Sequence, residues 1–179
     1  MKAPISIFLF SCLAFNCYGQ TDEDGKGKKD DRLPSAAFLL QTEQIKLETA
    51  ILLTDLARKK ATLLGKHVSI AVLDAYGQTI VISRGDGVGI HNTEAARRKA
   101  FTAVSTKTAT LILARNARAN ADTENLSHLP ELLLLGGGVP IYHGGQVIGA
   151  IGIAGGGSPE NDDLIGRSAS LVSADVIAR

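Results

Sequence analysis

The chain has 179 residues, with 19 Lys and Arg against 18 Asp and Glu, a formal net charge of +1 and a hydrophobic fraction of 45%. That length fits one domain of ordinary size. A nearly neutral balance argues against the basic surface that a non-specific nucleic-acid grip requires.

Met1-Lys2 leads into an almost unbroken apolar stretch from Ile5 to Phe15, and Cys17-Tyr18-Gly19 precedes a polar shift. A basic start, a short apolar run and a small residue form the pattern of a secretory signal, too short to span a bilayer comfortably. Residues 1–19 are expected to be a cleavable leader, which would make the protein periplasmic or secreted and leave no transmembrane helix. The leader would carry off Cys12 and Cys17, the two cysteines present, so the mature chain would have neither a disulfide nor a thiolate metal site. Residues 20–38 include DEDGKGKKDDR, too poor in apolar groups to order itself, and are expected to be a flexible charged linker. The folded domain is expected over residues 39–179.

From about Leu39 to Leu64, apolar residues including Ile45, Leu52, Leu56 and Leu63 recur at helical spacing, and Gly65 is a natural stop. Val68 to Leu73 and Thr79 to Ser83 read as antiparallel strands around the turn residues Asp74 to Gly77. After a glycine-containing loop, Asn92 or Thr93 is expected to cap a helix beginning near Glu94, and a second helix is expected from about Ala109 to Ala121. Asp122 to Pro130 reads as a loop. Leu132 to Leu135 is a short apolar run, and Val139 to Tyr142 and Gln146 to Ile153 form a second hairpin across His143-Gly144-Gly145. Ser158-Pro159-Glu160 opens a closing helix that is expected to reach about Ala178. The order is α-β-β-α-α-β-β-(β)-α. Short turns force antiparallel neighbours and helices need a sheet face, which gives an α+β sandwich and not a Rossmann fold.

The glycines between Gly136 and Gly157 invite a nucleotide reading, but the Gly-x-Gly-x-x-Gly order and a P-loop are both absent. Acidic Glu160, Asp162 and Asp163 would also repel a phosphate at the helix start. Tight turns and close strand or subunit approach explain those glycines better. His67, His91, His128 and His143 show no metal-ligand spacing, so a closed zinc site is not expected. Asp162-Asp163 read as helix-dipole partners ahead of a hard-cation site. The basic run Arg97-Arg98-Lys99 reads as solvated, with tetrapyrrole propionates as the alternative. No Gly-x-Ser-x-Gly elbow is present, and no convergent acid, base and nucleophile mark a catalytic centre.

Residues 68–86 (VSIAVLDAYGQTIVISRGD), 97–105 (RRKAFTAVS) and 136–163 (GGGVPIYHGGQVIGAIGIAGGGSPENDD) together resemble the GlcG/HbpS-like haem-binding family, which includes the C-terminal domain of PduO-type cobalamin enzymes. The resemblance implies a five-stranded antiparallel sheet flanked by helices, homo-oligomeric assembly, and noncovalent binding of haem or a related tetrapyrrole, with iron, near subunit contacts. Secreted members imply a haem-sensing or haem-protective role beside a sensor-kinase partner, with haem degradation as an enzymatic alternative and a carrier domain for another small ligand as a third. Resemblance to the secreted branch, where a threonine has been taken as a haem-iron ligand, implies the same residue type here. Thr110 is the nearest match here, with Thr102 and Thr108 as alternatives and Arg97, Arg98 and Lys99 as cofactor-side cations. Covalent attachment is excluded by the absence of Cys-x-x-Cys-His.

Overall fold

The computed structural model describes residues 38–179, so the predicted leader with both cysteines, and the predicted linker up to residue 37, lie outside the described residues. Residues 40–179 form one unit. Helix α1 spans Leu47–Leu63, starting eight residues later than its apolar spacing predicts. The reason is packing. Ala50, Leu53, Ala57 and Ala61 form the buried face, whereas Leu40 is 92% exposed and docks on nothing among the described residues. Gly65, at φ +64, ends the helix as predicted, with its N–H on the Thr62 carbonyl and that of Lys66 on the Ala61 carbonyl.

Strands β1 (Ser69–Asp74) and β2 (Thr79–Arg84) form the first hairpin. Helix α2 (His91–Thr106) begins three residues before the expected start, and neither Asn92 nor Thr93 caps it with a side chain. The Asn92 N–H bonds to the Gly89 carbonyl instead. Helix α3 (Thr110–Ala119) stops at Asn120, whose extended backbone and side-chain oxygen start the short α4 (Ala121–Glu124), and a 3₁₀ turn follows over Asn125–His128. The stretch expected to be a loop is thus partly helical, because Asn120 supplies a fresh N-cap to Asp122.

Strands β3 (Gly138–His143) and β4 (Gln146–Ala154) form the second hairpin, and α5 spans Pro159–Arg167 with Ser158 accepting from the Asn161 N–H. The closing helix does not reach Ala178. Ser168 and Ser170 donate to the Ile165 and Arg167 carbonyls, which competes with helix continuation, and Ser170 Oγ also accepts from the Ala178 N–H. The chain therefore turns back and adds β5 (Ile177–Ala178) beside β3. The result is a five-stranded antiparallel sheet in the order β2-β1-β4-β3-β5, flanked by helices. Leu132–Leu135 joins no strand.

Both faces of the sheet are covered, and residue size alternates with them. Ile70, Val72, Val139, Ile141, Ile151 and Ile153 share a cluster with Leu53, Ala57 and Ala61 of α1 and Ile165 of α5. Ala71, Leu73, Ala150 and Ala154 pack with Ala96, Ala100 and Ala103 of α2. From the strands, isoleucine and valine dominate one layer, and alanine and glycine, with Leu73, the other, which lets α2 come close onto the sheet. At Gly152 a Cβ would overlap the Ala96 carbonyl oxygen, and at Gly138 the Lys99 carbonyl oxygen. This is the close approach predicted for the glycine cluster, and it fixes where the residues of α2 meet β3 and β4.

Candidate functional site

The tight seating of α2 carries Lys99 into the interior, where it is 1% exposed. Its ammonium donates to Asp162 Oδ2 at 2.8 Å and to the Ile153 carbonyl at 2.9 Å. Asp162 Oδ1 accepts from the Gly156 N–H at 2.7 Å, so one carboxylate ties α2, the Gly155–Gly157 loop and the first turn of α5 together. Burial pushes the Lys99 ammonium below its ordinary pKa, and the Asp162 carboxylate opposes that shift. Lys99 is therefore not the solvated cation expected from its neighbours. A charge this far from water requires a partner, and Asp162 is that partner.

Arg97 and Arg98 stay near the surface but are engaged. Arg97 pairs with Glu94 at 2.7 Å and Glu131 at 3.1 Å, and its pKa is raised by those carboxylates. Arg98 donates to the Pro130 and Leu132 carbonyls, which holds the segment ahead of β3.

The three candidate threonines also have structural partners. Thr110 is closed from solvent; its hydroxyl donates to the Leu135 carbonyl and accepts from the Gly138 N–H at 2.8 Å. A haem iron at that oxygen would have to reach an atom closed from solvent and already engaged in two hydrogen bonds. Thr102, equally buried, donates to the Arg98 carbonyl and accepts from the Leu133 N–H at 2.8 Å. Thr108 is half-buried and donates to the Thr106 carbonyl. Thr102 and Thr110 thus pin both ends of the Leu133–Leu135 segment, which explains why that apolar run needs no strand partner.

Beside the Lys99–Asp162 pair lies an open cavity of about 350 Å³, lined by His91, Asn92, Lys99, Leu135, Pro159 and Asp162 among others. His91 had no motif to single it out, being a lone histidine beside a glycine loop. Placement at the first residue of α2 puts it on the cavity wall. Imidazole is a far better donor to haem iron than a threonine hydroxyl, and Leu135 with Pro159 gives the wall an apolar part. Ile90, beside His91, is 81% exposed. The donor set and the apolar wall fit a noncovalently held tetrapyrrole.

Asp163 faces away from this pair. Its Oδ2 accepts from Arg167 at 2.6 Å, and its Oδ1 is buried with no hydrogen-bond partner among the described residues. No group of three or more His, Cys, Asp or Glu is placed to hold a metal ion among the described residues, and no helix there is long and apolar enough to cross a membrane.

A family model described as "Haem degrading protein HbpS-like" matches residues 45–170. The chain is similar to the structure of a double mutant of HbpS from Streptomyces reticuli, at 34% identity and a TM-score of 0.69 over 85% of this chain and 96% of that one. It is also similar to the structure of a PduOC:heme complex, at 32% identity and a TM-score of 0.68 over 74% of this chain and 96% of that one. Among curated relatives, the corrinoid adenosyltransferase PduO of Salmonella typhimurium is 34% identical over 114 residues, 63% of this chain. The chain spans about a third of that enzyme's length.

Proposed function

Because the chain belongs to the HbpS-like family, we propose that it is a haem-binding protein whose site is the cavity between the start of α2 and the start of α5. The observation that carries this reading is His91, an imidazole on the wall of a cavity whose floor is the Lys99–Asp162 pair. Haem, when bound, supplies the redox and oxygen chemistry of its iron. The chain's own part is narrower. His91 would offer an imidazole nitrogen to the iron, Leu135 and Pro159 would give the group apolar cover, and the Lys99–Asp162 pair holds α2 to α5 beside it.

A volume of about 350 Å³ is near the small end of ligand pockets, so it covers only part of a macrocycle. Exposed Ile90, next to His91 in the chain, and half-exposed Leu135 in the cavity lining suit a second copy of the chain closing over the rest, which supports a homo-oligomer. The leader pattern of residues 1–19 supports export to the periplasm or beyond, and with it a haem-protective or haem-sensing role beside a sensor kinase. Stepwise addition of haemin to the purified protein tests the binding. The expected result is a saturable Soret shift at a fixed stoichiometry, and a spectrum identical to free haemin at every ratio would refute it.

The family model's description favours one second reading, haem breakdown. It predicts loss of the Soret band and release of iron faster than from free haemin under the same oxidant. Equal rates would leave binding alone.

A further inference from the structure

A second cleft lies outside the haem reading, between the C-terminal half of α1 and the end of the edge strand β2. It encloses about 310 Å³ and is lined by Arg58, Lys66, His67, Ser83, Arg84 and Asp86 among others. Three permanent cations and an imidazole thus meet a single carboxylate. Among the described residues none of the three cations is in an ion pair, whereas Arg97, Lys99, Arg115 and Arg167 all are.

Arg58 is half-buried and reaches from α1 to β2, where Nη2 donates to Ser83 Oγ at 2.5 Å. That bond fixes a guanidinium at the cleft while leaving it further N–H donors. Ordinary helix capping does not account for the charge. In the last turn of α1, the carbonyls of Ala61 and Thr62 already accept the main-chain N–H groups of Lys66 and Gly65. Gly85 completes the wall: a Cβ there would lie 2.9 Å from the Val68 carbonyl oxygen, so this corner is kept narrow and bare. Like charges gathered in a concave site raise the local positive potential and draw in a compact anion.

We propose that the α1–β2 cleft binds the anionic oxygen group of a small molecule, a phosphate or a carboxylate, held by Arg58 and Lys66 and assisted by Arg84. Arg58 supplies a planar pair of donors suited to two oxygens of one group, and Lys66 a point charge. Lys66 Nζ would be 3.4 Å from a Cβ at Gly157, so this ammonium borders the loop of the haem cavity. Two sources therefore share the chemistry: a free small anion, or the propionates of a haem seated next door.

Calorimetric titration of the full chain with inorganic phosphate and with malonate, at fixed ionic strength, tests the site. Saturable binding of either anion is expected, weakened at least fivefold in Lys66→Gln and in Arg58→Gln and unchanged in Arg118→Gln, a remote exposed cation on α3. Lys66 is exposed, so its variant keeps the fold even if Arg58→Gln does not. If the free anions do not bind but Lys66→Gln weakens haemin and leaves haemin dimethyl ester unaffected, the site stands with propionate as its occupant. Anion binding that ignores the cation variants overturns the proposal. So does the absence of anion binding together with unchanged haemin affinity in Lys66→Gln. The anion titrations contain no haem, so their outcome is separate from that of the haem reading.

Discussion

At the scale of single residues, this protein is held by polar groups that the sequence presents as ordinary. Lys99 sits in a basic run that reads as solvated, and its partner Asp162 lies 63 positions on, beyond any local pattern. Lys99→Met strands a buried carboxylate and should destabilise the fold by about 3–5 kcal/mol, whereas the double variant with Asp162→Leu should recover much of that loss. Denaturant unfolding of the two singles and the double checks it; additive losses would mean the two groups do not act as a pair. Thr110→Val keeps the volume but leaves the Gly138 N–H and the Leu135 carbonyl without partners, so a loss of about 1–3 kcal/mol is expected. A change below about 0.5 kcal/mol would show that these bonds are replaceable. His91 was illegible for a different reason: a lone histidine has no spacing to read, and only the start of α2 gives it a cavity to face.

At the scale of elements, the apolar runs of β1, β3 and β4 with the turn residues between strands were legible, and so was the order of helix, hairpin, two helices, hairpin and closing helix. What those runs could not tell was that residue size differs between the two faces, with isoleucine and valine toward α1 and α5 and mostly alanine and glycine toward α2. That asymmetry makes Gly152 a fitted position. Gly152→Ala must push α2 off the sheet, since the added methyl overlaps the Ala96 carbonyl, and a loss of about 1–3 kcal/mol with slackened burial of Lys99 is expected. Hydrogen exchange across α2 measures the slackening, and unchanged protection would contradict the close-packing account. The C-terminal region defeated the helix expectation because Ser168 and Ser170 bond to the main chain, an outcome decided by where β3 offers an edge to pair with.

At the scale of the whole molecule, one surface contact makes stability depend on pH. Glu43, ahead of α1, meets His143 Nδ1 in the β3–β4 hairpin at 2.5 Å and raises the imidazole pKa above its ordinary 6.5. A raised histidine contributes stability that is fully present below the unfolded value and is lost as pH rises through the folded one. The melting temperature of the protein should therefore exceed that of His143→Gln just below pH 6.5, and the gap should close as pH rises through the folded-state value. A gap independent of pH would mean the contact holds without the charge. Haem binding in the cavity beside Lys99 rests on the His91 imidazole, and removing that imidazole tests it most directly. Haemin titrated into His91→Ala should bind at least tenfold more weakly than into the native chain, and free imidazole should restore the native haem spectrum. Unchanged affinity and spectrum in His91→Ala, with no response to imidazole, would place the iron elsewhere and contradict the account.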